Sequence, residues 1–170
     1  MSLSIRPATV RDAALLVELV RQLAVYEKAP DAVRATPEDF ARYGFGTPSF
    51  FEALIAEWSG QPVGFALYFF TFSTWTGKPS LYLEDLFVQP EARGRGIGKS
   101  LFLRVASEAV ARGCERYQWQ VLDWNSPAIS FYEAMGALPT REWVPYRVEG
   151  EALRALAREP NGSASNLREA

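Results

Sequence analysis

Histidine does not occur in this chain of 170 residues, and cysteine and methionine are nearly missing, at one and two. Without histidine there is no Ser-His-Asp hydrolysis, no histidine metal site and no side chain whose ordinary pKa puts a general base near neutrality. A single cysteine excludes disulfides within the chain and cysteine zinc clusters. Cys114 falls just past a helix stop at Gly113, a place that suits a small half-buried residue and supplies nothing to activate a thiol, so it reads as structural. No apolar run approaches the length of a membrane span, and the first residues carry no signal-peptide core; a cytoplasmic protein without a membrane partner is expected. Charge of one sign is also missing. Lys and Arg number 18, Asp and Glu 20, for a net charge of −2, and the basic residues are scattered, so a nucleic-acid surface has no support.

What is present is apolar and patterned. Nearly half the residues are hydrophobic and 14% are aromatic, enough for one domain with a real core. "LSIRPA" reads as a first strand. "RDAALLVELVRQLAVYE" reads as a helix with Leu15, Leu16, Leu19, Val20 and Leu23 in one stripe. "TPEDFARYG" opens a second helix, with Thr36 as N-cap, Pro37 in the first turn and Asp39 closing a capping box. "FFEALIAEW" and "PVGFALYFFTF" are strands joined by the turn "SGQ", and a third strand runs from Leu81 to Val88. A helix follows, then "RYQWQVLDW" as a strand. In "NSPAISFYEAMGA" a helix is capped by Ser126 and stopped by Gly136; "EWVPYRVEGEALRALA" gives a closing strand and a terminal helix. The expected fold class is α/β: a single-domain, mixed, mostly antiparallel sheet flanked by helices over residues 1–159, with a disordered polar tail at 160–170.

The segment "RGRGIGKS", residues 93–100, bears on function. Its end looks like a nucleotide phosphate loop, but the first glycine of that motif would stand at 93, where Arg93 is found, and Gly94, Gly96 and Gly98 are spaced two apart, unlike the dinucleotide fingerprint. Too little chain follows Ser100 to build a phosphate-loop sheet either. The context still favours an anion. The strand ending at Val88 hands over to a helix in which Ile97, Leu101, Val105 and Ala109 recur. Helix-start amides lack partners and carry the positive end of the helix dipole, and glycines let an anion come close to them. Arg93 and Arg95 can add charge, though a tight turn with two solvated arginines would read the same way.

Arg93-Gly94-Arg95-Gly96-Ile97-Gly98 resembles the R-x-x-G-x-G signature of the GNAT superfamily of acyl-CoA N-acyltransferases. With "IRPAT", "LAVYE", "WTGK", "LYLEDLFV" and "WNSPAISFYEAMGA", the chain is similar to the diamine (spermidine/spermine) N-acetyltransferases over roughly residues 4 to 158. The resemblance implies the GNAT fold and acetyl-CoA as co-substrate, with no metal. Leu86, Phe87 and Val88 would bind the pantetheine arm through their backbone. Arg93, Gly94, Arg95, Gly96, Ile97, Gly98 and Lys99 would cradle the pyrophosphate, and Asn125, Ser126, Pro127 and Ala128 would complete the cofactor site.

Glu84 is out of place for a strand among apolar neighbours; it faces a cleft or is paired. By the resemblance it accepts the amine's proton, and Tyr132 protonates the departing thiolate. From spacing alone Tyr132 reads rather as a core aromatic beside Ile129 and Met135, and the resemblance reverses that preference. In the family's arrangement Tyr26, Glu27, Glu84, Asp85 and Trp119, with Trp75 and Trp124, would lie near one another and attract an ammonium group, so the resemblance implies a small cationic amine as the acceptor. Gln118 and Gln120 depart from the family's polyamine pocket, leaving a protein lysine or an aminoglycoside as the alternative acceptor and an acyl-CoA sensor as the non-enzymatic one. The family's pairing of last strands, and the aromatic "EWVPYRV" edge, point to a homodimer.

Overall fold

The structure, a computed structural model, describes residues 2–158, so the expected tail from residue 160 lies outside the described residues. The chain forms two compact units, one ending at Val121 and the other beginning at Leu122. The first is a five-stranded sheet laid out in chain order: β1 (Leu3–Pro7), β2 (Glu52–Trp58), β3 (Gln61–Ser73), β4 (Lys78–Val88) and β5 (Arg116–Trp119). β1 to β4 are antiparallel. β5 is parallel to β4, and α3 (Ile97–Ala111) makes the crossover that a parallel pair requires. Two further helices, α1 (Ala13–Tyr26) and α2 (Pro37–Phe45), lie between β1 and β2 in the chain.

The local chemistry explains these elements. The β2–β3 hairpin turns on Ser59 and Gly60, at φ 51° and 80°, the two left-handed residues that a tight hairpin with the right twist demands. α2 begins with the expected capping box, Thr36 accepting from the Asp39 amide while the Asp39 carboxylate accepts from the Thr36 amide. Leu16, Leu19 and Leu23 of α1 bury their stripe on Ala53, Ile55, Phe65, Leu67 and Phe87, the same-face residues of three adjacent strands. α3 packs against β3, β4 and β2, with Ile97, Leu101, Val105 and Ala109 buried.

Two irregularities in β4 matter for function. Leu67 pairs with Asp85 but Tyr68 pairs with Leu83, so Glu84 is an extra residue at a β-bulge. Asp85 and Phe87 therefore share the α1 face with Leu67 and Phe65, whereas Leu83 shares the other face with Tyr68. The second irregularity is a divergence. β5 follows β4 only from Ser80 to Leu83, so among the described residues the stretch Glu84–Val88 has a sheet neighbour on its β3 side alone.

The second unit contains α4 (Ser126–Ala134) and α5 (Gly150–Arg158). Two expectations are corrected here. The N-cap of α4 is Asn125, whose side chain accepts from the Ala128 amide, and Ser126 is already helical; both residues are good caps and adjacent, and the one reaching the third amide wins. No strand follows Trp119 among the described residues: "RYQWQVLDW" is extended only to Trp119, and "EWVPYRV" is irregular. The first runs out where β4 stops pairing with it. The second has Pro145, which lacks a ladder donor, and leaves Trp143, Val144 and Tyr146 largely exposed.

Candidate functional site

The turn between β4 and α3 is a short 3₁₀ segment, Pro90–Ala92, followed by the glycine loop. Gly94 and Gly96 both stand at φ 75°, in the left-handed region, and a Cβ on either would meet nothing within 4 Å. The backbone thus needs glycine, while the space over the loop is open. Gly96 is the N-cap of α3 and brings no side-chain cap, so the first-turn amides of Ile97, Gly98 and Lys99 present their N–H groups outward. Ile97 is buried and pins this turn to the body. Uncapped amides, open space and the Lys99 ammonium suit a diphosphate.

The arginines of the loop do not both point over it. The Arg93 Nε donates to the Val88 carbonyl at 2.9 Å, and its guanidinium lies 4.5 Å from the centre of the Tyr26 ring and 5.8 Å from that of Phe87. Arg95 donates to the Glu91 carbonyl and lies over the Trp58 ring at 5.4 Å. At the strand end, Phe87 and Val88 are buried and Leu86 is half-buried. Gly64 faces them across the ladder, where a Cβ would stand 2.5 Å from the Phe87 carbonyl oxygen; only glycine lets β3 come this close to the end of β4. Gln89 is tied to α1 by a 3.0 Å hydrogen bond to Gln22.

Carboxylates gather beside this strand end. Glu84 is exposed on the bulge and Asp85 is turned inward on the α1 face. Burial pushes the Asp85 carboxyl up to about 7, and the neighbouring charges of Glu84 and Glu27 push the same way. Glu27 is also raised, by burial. It sits as the C-cap of α1, where the helix dipole disfavours a negative charge, and the next residue, Lys28, takes a left-handed φ of 63°.

Among the aromatic residues expected near the acceptor, Tyr26 lies under Arg93, and Trp119 packs edge-on to Phe102 and against Tyr117. Trp75 is on the exposed β3–β4 turn. In the second unit, Asn125 is buried at the head of α4, Ser126 and Pro127 are exposed in its first turn with Ala128 behind them, and Tyr132 is half-buried against Phe131. The inward turn of Asp85, the direction of Arg93 and the Gln22–Gln89 tie have no signal in the sequence, since each depends on partners far along the chain.

Comparison with known proteins gives concordant findings. The family model described as "Acetyltransferase (GNAT) family" matches residues 17–137. A thialysine N-epsilon-acetyltransferase of Sus scrofa is 42% identical, over 92% of this chain and 98% of its own length. Spermidine/spermine N(1)-acetyltransferase-like protein 1 of Homo sapiens is 36% identical over 91% of this chain, a region making up 24% of that protein. Among solved structures, an integron cassette protein from the mobile metagenome of V. cholerae superposes with a TM-score of 0.80 at 32% identity, covering 94% of this chain and 99% of that one.

Proposed function

Because this chain belongs to the GNAT acetyltransferase family, we propose that it moves an acetyl group from acetyl-CoA to a primary amine of a small cationic acceptor, a diamine, a polyamine or a thialysine- or lysine-like amino acid, by direct attack in a ternary complex. One observation carries the reading: β4 bears Glu84 and Asp85 at its bulge, has no second sheet neighbour among the described residues from Glu84 onward, and leads from there to the uncapped glycine loop. Donor and acceptor chemistry are thus mounted on one strand.

Amine acetylation needs a neutral nitrogen, a fixed thioester and a proton for the leaving sulfur. In this reading the amides of Gly94, Gly96, Ile97, Gly98 and Lys99 hold the pyrophosphate, and Leu86, Phe87 and Val88 fix the pantetheine arm through backbone groups. Asn125, Ser126, Pro127 and Ala128 complete that site. Glu27, Glu84 and Asp85 attract the ammonium, with Tyr26 and Trp119 as aromatic neighbours. Glu84 takes the proton that frees the amine's lone pair, the nitrogen bonds to the carbonyl carbon and gives its second proton to Asp85, the carbon–sulfur bond breaks, and Tyr132 gives its phenolic proton to the thiolate. Residues 1–159 act as one catalytic domain in a cytoplasmic homodimer with no nucleic-acid or membrane partner. No helix among the described residues is long and apolar enough to cross a membrane.

The test is acetyl transfer from acetyl-CoA to a panel of putrescine, spermidine, thialysine, a lysine peptide and an aminoglycoside. Turnover confined to the peptide or the aminoglycoside rejects the small-amine reading, and no turnover at all favours an acyl-CoA sensor. Light scattering that finds only monomer rejects the dimer.

A further inference from the structure

The signature that identifies the loop counts its first arginine among the phosphate-binding residues, yet Arg93 is spent elsewhere. Its Nε is given to the Val88 carbonyl at 2.9 Å, and the guanidinium lies over Tyr26 with Phe87 also in range. Those three partners belong to the end of β4 and the last turn of α1. Tyr26 is followed directly by Glu27, and Val88 closes the strand that carries Glu84 and Asp85.

We propose that Arg93 is a positioning residue: it clamps the end of β4 to the last turn of α1 and so fixes the spacing between the donor loop and the acceptor carboxylates, instead of serving the donor's phosphates. The inference rests on the acyl-transfer reading above. A guanidinium whose Nε is committed to a carbonyl and whose face is covered by a ring has lost the side-on fork that makes arginine a strong phosphate ligand. It keeps the two interactions that hold separate elements in register, a charge-assisted hydrogen bond and a cation–π contact. Lys99, on the first turn of α3, is the cation left to meet phosphate.

Steady-state kinetics with two donors separate the roles. S-acetylpantetheine lacks the pyrophosphate of acetyl-CoA. Arg93→Gln should lower kcat/KM by about tenfold with either donor, much of it in the KM of the acceptor. Arg93→Lys, which keeps a cation over Tyr26, should recover part of the loss, whereas Lys99→Gln should be costly with acetyl-CoA alone. If the Arg93→Gln penalty vanishes with S-acetylpantetheine, Arg93 serves the phosphates and the clamp is wrong. Hydrogen exchange of the ligand-free full chain gives a readout that needs no turnover: Arg93→Gln should speed exchange at residues 23–29 and 86–89 together and leave β2 unchanged. Unaltered exchange in either segment overturns the proposal. Faster exchange in both, in a protein that transfers no acetyl group from either donor, upholds the clamp and rejects the acyl-transfer reading instead.

Discussion

Asp85→Asn should make the protein more stable and nearly inactive. The Asp85 carboxyl rises from 3.8 to about 7 because folding buries it and sets it beside Glu84 and Glu27. A raised acid pKa means that ionising the group costs folding energy. The cost is absent below the unfolded value near 4, grows as pH rises, and is complete above about 7. At about 1.4 kcal/mol per pH unit the ceiling is about 4 kcal/mol. Water reaching a half-buried side chain, and the amide that asparagine brings in its place, reduce the expected gain to about 1–2 kcal/mol at pH 8. Denaturant unfolding of both proteins at pH 5, 6, 7 and 8 should show the gap widening with pH. In the same variant kcat/KM should fall by about 10²-fold or more, and the limb that rises through pH 7 in the parent should disappear, since a proton acceptor is gone. A variant that is less stable than the parent at pH 8, or that keeps the limb near 7, refutes the argument.

Gly96→Asp places a carboxylate at the uncapped start of α3 and forces a side chain into a φ of 75°; calorimetry should find acetyl-CoA binding lost and stability reduced by about 1–2 kcal/mol. Tyr132→Phe should lower kcat far more than it changes acetyl-CoA affinity, while Cys114→Ser, at a thiol whose pKa burial pushes up, should leave turnover nearly unchanged; acetyl transfer through a Cys114 adduct would contradict both. Asp12 bonds Arg6 at 2.8 Å, and that pairing lowers its pKa to about 2. Asp12→Asn should cost about 1–2 kcal/mol at neutral pH, after allowance for the part-exposed arginine, and the difference should close as pH falls from about 4 through 2 in acid unfolding curves.

Much of the architecture can be read from the chain because the signals are local. The stripe of α1, the Thr36-Pro37-Asp39 cap and the change of period between Val88 and Ile97 each lie within a few residues, and all three are found in place. The misreadings share another origin. "EWVPYRV" has the composition of a strand, but a strand is a relation to a neighbour and this segment has none among the described residues. Asn125 and Ser126 are equivalent caps on composition, and only the reach of the side chain to Ala128 decides between them. Glu84 is visible as a misfit in an apolar run, but that its neighbour Asp85 is the acid that turns inward depends on a register against β3 that no short window contains. The path of Arg93 to Tyr26 joins positions too far apart for any periodicity to reveal.

The bulge makes Glu84 the one member of β4 that can be excised without re-addressing the rest. With Glu84 removed, Leu83 would still face Tyr68, Asp85 would still face Leu67, and the ladder between them would become regular. Loss of Asp85 or Leu86 instead leaves the strand a choice between swapping faces from there onward and absorbing the gap by giving up the bulge. Length variation in this strand is therefore not uniform in its effect: a shortened chain can keep its core and its inward acid while surrendering only the exposed carboxylate and the kink beneath it. A library of single-residue deletions across 81–88, scored separately for folding and for acetyl transfer, should find position 84 as the place where the two scores part.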